Sequence, residues 1–262
     1  MKNTIAKIFF LFVFSTPVFL SATPPKKGGE FYQIMVYHFS TTEQQQVIEQ
    51  YLKDAYVPAL HRQQIKNIGV FTLIANDTAT DKRLYVIVPL KSLKQVTELA
   101  SKLAGDNDYQ ANGKTYLDAA YKTPPYQRME NIVAQAFPLA PFLILPKLTG
   151  PKSERIYELR SYESATEKIF QNKVQMFNEG GEIALFKQLN FNAVFYSSVI
   201  AGCNMPNLMY MTSFENKADR DAHWKSFGSS PDWKKLSSMP EYQNNVSKNT
   251  SYFLRTTEYS DY

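Results

Sequence analysis

One order of elements occurs twice in this chain. Apolar alternation predicts a strand over residues 31–39, a helix from about Glu43 with Val47, Tyr51 and Ala55 on one stripe, and strands over 69–75 and 84–90. Ser92 with Gln95 three residues on has the spacing of a capping box and opens a second helix; residues 130–137 close the round as a strand. After a proline-punctuated stretch, 138–152, the order returns: strand 156–163, a long helix 167–189, strands 193–201 and 208–214, a helix from Lys217, an aromatic segment 230–242 and a strand 250–257. Tyr32 and Tyr157, Phe71 and Phe195, Tyr85 and Tyr210, and the pairs Pro125-Tyr126 and Glu241-Tyr242 match at offsets of about 115 to 125 residues, as a duplicated unit would leave them.

A β-α-β-β-α-β unit forms a four-stranded antiparallel sheet with both helices on one face, the ferredoxin-like arrangement. Its other face is left bare, and two tandem units bury those faces by pairing their sheets. The expected fold class is therefore α+β: tandem ferredoxin-like units forming an intramolecular α/β barrel. The division follows as a signal peptide at 1–22, a leader at 23–29, a first unit at 30–137, a linker at 138–152 and a second unit at 153–262.

The signal rests on Lys2 and Lys7 ahead of an apolar run 8–20 and the small residues Ser21 and Ala22. That run is too short to span a bilayer comfortably, so the expected protein is exported, to the periplasm or beyond the cell, with no integral span after cleavage. Loss of 1–22 lowers the formal net charge from +5 to +3. The remaining charges are interspersed, which argues against nucleic acid as a partner. Cys203 is the single cysteine, which excludes an intramolecular disulfide and Cys-rich metal sites. His38, His61 and His223 have no metal-binding spacing, so no metal is expected.

Strand alternation divides 156–162 into Tyr157, Leu159, Ser161 and Ile156, Glu158, Arg160, Tyr162. The first set, matched by Tyr32, Ile34 and Val36, is expected under the helices. That places Glu158 and Arg160 between the sheets, where charged groups mark a cavity. Arg160, Glu158, Tyr162, Tyr196 and His223 are the candidate ligand-binding residues, with Arg160 as partner of an anion or carbonyl; no catalytic residue is assigned. The plainer readings are structural. His223 pairs with Asp219 beside a packed Trp224, Glu179 and Glu182 lie on a solvated face, and Gly180-Gly181 marks a kink or close approach.

From residue 155 to 262 the runs IYELRSYE, QMFNEGGEIALFKQLNFNAVFY, AGCNMPNLMYMTSFENKADRDAHWKSF, SPDWKKLSSMPEYQ and LRTTEYSDY resemble the NIPSNAP family. The first unit resembles it only in layout and in LHRQQIKNIGVF. The resemblance implies a dimeric α/β-barrel, ferredoxin-like fold, without fixing an activity: animal members resemble mitochondrial adaptors, and exported bacterial members are mostly without an assigned one. Barrels of this type also resemble haem-handling monooxygenases, so haem on a single axial histidine is the alternative to no cofactor. The expected function is binding of a small apolar or aromatic molecule, with an uncharacterised enzyme activity open and homo-oligomer formation allowed. The alternative is a protein-interaction or scaffold module built on Trp233, Tyr242 and the terminal EYSDY. Expression in full with its own N-terminus is expected to yield a chain beginning at Thr23, read by intact mass; an unprocessed Met1 in the exported fraction would contradict the signal.

Overall fold

Four strand-helix boundaries are set by side-chain caps that repeat between the two halves. Thr41, Ser92, Thr166 and Asn216 each accept a hydrogen bond from the backbone N–H three residues on, at 3.2, 3.3, 3.3 and 2.9 Å. The computed structural model describes residues 28–262; the expected signal and residues 23–27 of the leader lie outside them. The first half runs β1 (Phe31–Phe39), α1 (Thr42–Tyr51), a π-helical turn (Leu52–Tyr56), α2 (Val57–Arg62), β2 (Gly69–Leu73), β3 (Lys82–Leu90), α3 (Leu93–Ala104), α4 (Asn107–Asn112), α5 (Lys114–Leu117) and β4 (Arg128–Ala136). The second runs β5 (Ile156–Glu163), α6 (Glu167–Asn178), α7 (Glu182–Gln188), β6 (Asn192–Ala201), β7 (Asn207–Phe214), α8 (Lys217–Ser229), α9 (Pro231–Ser238) and β8 (Lys248–Thr256).

The strands form one closed barrel in the order β1-β3-β2-β8-β5-β7-β6-β4, with β4 returning to β1. Within each half the order is that of a ferredoxin-like sheet. The seams are β2 with β8 and β6 with β4, so each half lends the same two edges to the other. Closure gives every strand of the barrel a paired neighbour on both sides, over three residues of β8 at one seam and four of β4 at the other. Segment 138–152 is an ordered crossover without regular structure: Leu143 N–H donates to Glu30 Oε2 at 2.7 Å and Ile144 N–H to Val194 O at 2.9 Å.

The face assignment of the strands is the reverse of the expected one. Tyr32, Ile34 and Val36 on β1 and Tyr157 and Leu159 on β5 point into the barrel, where they pack with Phe71, Phe195, Met211 and Tyr262. These side chains fill the middle of the space between the sheets, and towards one end Val36, Tyr85, Ile132, Ser161, Met209 and Tyr252 line a cavity of about 230 Å³ that neither Glu158 nor Arg160 reaches. Glu158, Arg160 and Tyr162 lie on the other face, under the helices. Both faces of such a strand are covered, so hydrophobicity alone does not tell inside from outside. The match of Tyr85 to Tyr210 is also displaced by one residue: Val36 pairs with Tyr85, and Ser161, its counterpart, pairs with Met209. Tyr85 consequently faces the barrel and Tyr210 the helices, as a one-residue slip requires.

The terminal EYSDY is not a free surface. Asp261 accepts from Ile68 N–H at 2.8 Å, Ser260 Oγ from Val70 N–H at 3.0 Å, and Tyr262 is buried against Phe71 and Tyr157.

The helix expected over 167–189 is two helices. Gly181 adopts a left-handed φ of 92°, and a Cβ on Gly180 would meet the Met176 carbonyl oxygen at 2.6 Å. The break turns Glu182 inward and leaves Glu179 exposed, so the two carboxylates share no face. Gly181→Ala is expected to lower stability by about 1–2 kcal/mol in urea unfolding, since an L-residue is strained there. Gly228→Ala, in the open on α8, is expected to raise it by about 0.5–1 kcal/mol.

Candidate functional site

Between the second sheet and its helices, β5 carries a carboxylate with no exposed surface. Glu158 Oε1 accepts from Arg160 Nη1 and Arg220 Nη2, each at 2.8 Å, and Oε2 accepts from Arg220 Nε and the Trp224 indole N–H, each at 2.8 Å. Burial works to raise this carboxyl, but the Arg220 hydrogen bonds, the charges of Arg160 and Arg220 and the indole outweigh it and hold it below its ordinary value. Glu158 thereby fixes two guanidiniums and Trp224 of α8 against the sheet. The Arg160 guanidinium lies 4.3 Å from the Trp224 ring and 5.4 Å from the Tyr162 ring. Its Nε is buried without a hydrogen-bond partner.

Arg160 lines an open pocket of about 330 Å³ with Tyr162, Lys173, Glu182, Trp224 and Trp233, and residues 242–246 ahead of β8 complete its lining. Lys173 of α6 donates to Glu182 Oε2 of α7 at 2.8 Å, and both side chains are about 95% buried. Burial raises the Glu182 carboxyl, and Lys173 offsets part of that. The chain has two tryptophans, and both are in this wall. Wider clefts, one of about 580 Å³ in the first half and one of about 780 Å³ between α1 and the segment 256–259, are lined by half-buried and exposed residues, with no buried charge.

The first half supplies an internal comparison. Aligned by strand starts and N-caps, Glu158, Arg160, Lys173, Glu182 and Arg220 correspond to Gln33, Met35, Ile48, Val57 and Val96. Where the second half has a pocket, the first has tyrosines: Tyr51 stacks on Tyr116 at 3.8 Å and bonds Tyr109 at 2.9 Å, over Tyr37. The same fold therefore forms without the five charges.

Of the candidates from the sequence, Arg160 and Tyr162 line the pocket and Glu158 lies beneath it. Tyr196 is core, stacked on Tyr210 at 5.7 Å. His223 packs on Phe191 and Phe214 with Nδ1 at 2.9 Å from Asp219 O, away from the pocket. His38 lies between Asp81 and Glu130, and His61 bonds Asp261. None of the three histidines lines the pocket, so it offers a haem no axial histidine. Among the described residues no cluster of three His, Cys, Asp or Glu could hold a metal, and no helix is long and apolar enough to cross a membrane. Lys173 was not foreseen, and Glu182, expected beside Glu179 on a solvated face, is buried against Lys173 instead. A lysine in a charged helix looks like surface, and the one clue was Gly180-Gly181, which breaks the helix just before Glu182.

Residues 157–261 match the family model of NIPSNAP. The second unit is a NIPSNAP domain. No curated protein matches the chain. Among solved structures, a candidate monooxygenase of Lactobacillus acidophilus NCFM is similar over 87% of this chain and 94% of its own, at 12% identity and a TM-score of 0.57. One of Fusobacterium nucleatum subsp. nucleatum ATCC 25586 is similar over 87% and 93%, at 7% identity and a TM-score of 0.56. An anthrone oxidase-like protein is similar over 87% and 92%, at 9% identity and a TM-score of 0.51. At these identities the likeness is one of fold, and it takes in both the NIPSNAP domain and the unit before it.

Glu158→Gln in the NIPSNAP domain is expected to cost about 3–5 kcal/mol near neutral pH, because two guanidiniums lose a buried partner. The folded carboxyl titrates below its unfolded value of about 4.3. Its contribution is thus complete above that value and is lost as pH falls through the lower, folded one. Urea unfolding should show a wild-type advantage over the variant that holds from about pH 6 upward and shrinks below about pH 4.

Proposed function

We propose that the NIPSNAP domain binds a small aromatic molecule carrying a carboxylate, in the pocket between its sheet and its helices. The observation that carries this is Arg160: a guanidinium fixed by Glu158, close to the rings of Trp224 and Tyr162, with a buried Nε lacking a partner. A carboxylate takes two parallel hydrogen bonds from such a fork, and the two tryptophans and Phe227 supply faces for a ring. The volume is at the lower end for ligand sites and suits one or two rings. Pockets of this kind, apolar walls around a few convergent polar groups, are where small molecules bind. Of the scaffold alternative's three parts, Trp233, Tyr242 and EYSDY, the tail is docked, with Asp261 bonded to Ile68 and Tyr262 buried, and Trp233 lines the pocket. With the N-terminal pattern of a secretory signal, the ligand would be met outside the cytoplasm.

Titration with phenylacetate, followed by tryptophan fluorescence, is expected to show saturable binding at least tenfold tighter than that of the neutral phenylacetamide. Arg160→Met, which installs the first unit's residue, should remove the preference for the acid. Equal binding of acid and amide, or an unchanged preference in the variant, would overturn the reading.

A further inference from the structure

The Lys173–Glu182 pair has no structural task that Ile48 and Val57 do not perform in the first half. Replacing a buried ion pair by packed apolar residues is commonly neutral or stabilising. Here the pair is kept in the wall of a pocket, one ring away from Arg160: the Tyr162 ring lies 5.4 Å from the Arg160 guanidinium and 5.7 Å from Lys173 Nζ. Lys173 Nζ is also 4.7 Å from the Phe177 ring, which shields the pair from water on the core side. A carboxylate base and an ammonium acid in contact, next to an anchor for an anion, form an arrangement for moving a proton between a carbon and a carbonyl oxygen.

We infer that this pocket interconverts the keto and enol forms of aromatic 2-oxo acids, with Glu182 as base and Lys173 as acid. The inference rests on the binding reading above and adds the reaction to it. The substrate carboxylate sits on Arg160 and its ring against Trp224 and Trp233. Glu182 takes a proton from the benzylic carbon. The C–H electron pair becomes the new C=C bond, the carbonyl π pair moves to oxygen, and Lys173 donates a proton to that oxygen. Transfer of the proton from Glu182 to the neutral Lys173 amine, across 2.8 Å, restores both groups. No electron leaves the substrate and no co-reactant is needed. Burial, which raises the Glu182 carboxyl, strengthens it as a base.

The test is phenylpyruvate in heavy water with the full chain, following deuterium entry at the benzylic carbon by proton NMR and the enol by its ultraviolet absorbance. Wild type is expected to exceed the buffer rate by at least about 100-fold, as positioned acid-base pairs do. Glu182→Gln, which keeps an acceptor for Lys173, should lose that acceleration while still binding phenylacetate. Should the glutamine variant fail to bind phenylacetate, Glu182→Val, the residue of the first unit, takes its place in the same comparison. Phenylacetate binding by wild type without exchange of phenylpyruvate overturns the inference and leaves the binding reading standing. Exchange undiminished in a Glu182 variant that binds phenylacetate overturns the role of Glu182. Absence of phenylacetate binding overturns both.

Discussion

Eight strands close on themselves here because β2 pairs with β8 and β6 with β4, and that closure fixes where every side chain of the sheet can go. Once the ring is shut, alternate residues point either into the barrel or under a helix, and there is no third environment. The middle of the inside is committed to packing by six buried aromatic rings, Tyr32, Phe71, Tyr85, Tyr157, Phe195 and Tyr262. Any site must lie at a mouth of the barrel or in the helix-sheet layers. The two halves use those layers differently. The first fills its layer with tyrosines, and the second leaves a pocket and places charge around it.

The placement of charge is the energetic signature. Taking a carboxylate or an ammonium out of water costs several kcal/mol, which the partner recovers only with good geometry. Glu158 has that geometry, with four donors at 2.8 Å. Lys173 and Glu182 have one direct bond and aromatic faces around the ammonium. Such groups are poor means of holding a sheet to a helix. The first half does the same with Met35, Ile48 and Val57, all buried. Charges that the fold does not require, gathered on one pocket, are what a polar ligand does require.

Much of the fold was legible in the letters, because it rests on local rules. Strand β5 and the start of α8 lie where alternation and the Asn216 cap put them, and the repeat implied two paired sheets. The choice of face was not legible. In β5 both sets contain tyrosine and an aliphatic residue, and only the helices packed above decide which set is inside. Arg160 and Tyr162 are neighbours, as expected, but their face of β5 lies under the helices and not between the sheets. His223 drew notice for its chemistry, yet its ring is spent on Phe191, Phe214 and Asp219. Lys173 and Glu182 sit nine residues apart across a glycine break, and no periodicity spanning that break could bring them together.

The most direct test is to rebuild the second layer with the first half's own residues, as Glu158→Gln, Arg160→Met, Lys173→Ile, Glu182→Val and Arg220→Val combined. Thermal unfolding of this chain, with near-ultraviolet circular dichroism to report on its packed aromatics, measures whether the charges serve the barrel. The account predicts a folded protein with a midpoint equal to or above that of wild type and no affinity for phenylacetate. A chain that loses its near-ultraviolet signal or unfolds well below wild type would show that the charges hold the structure together, and would contradict the account.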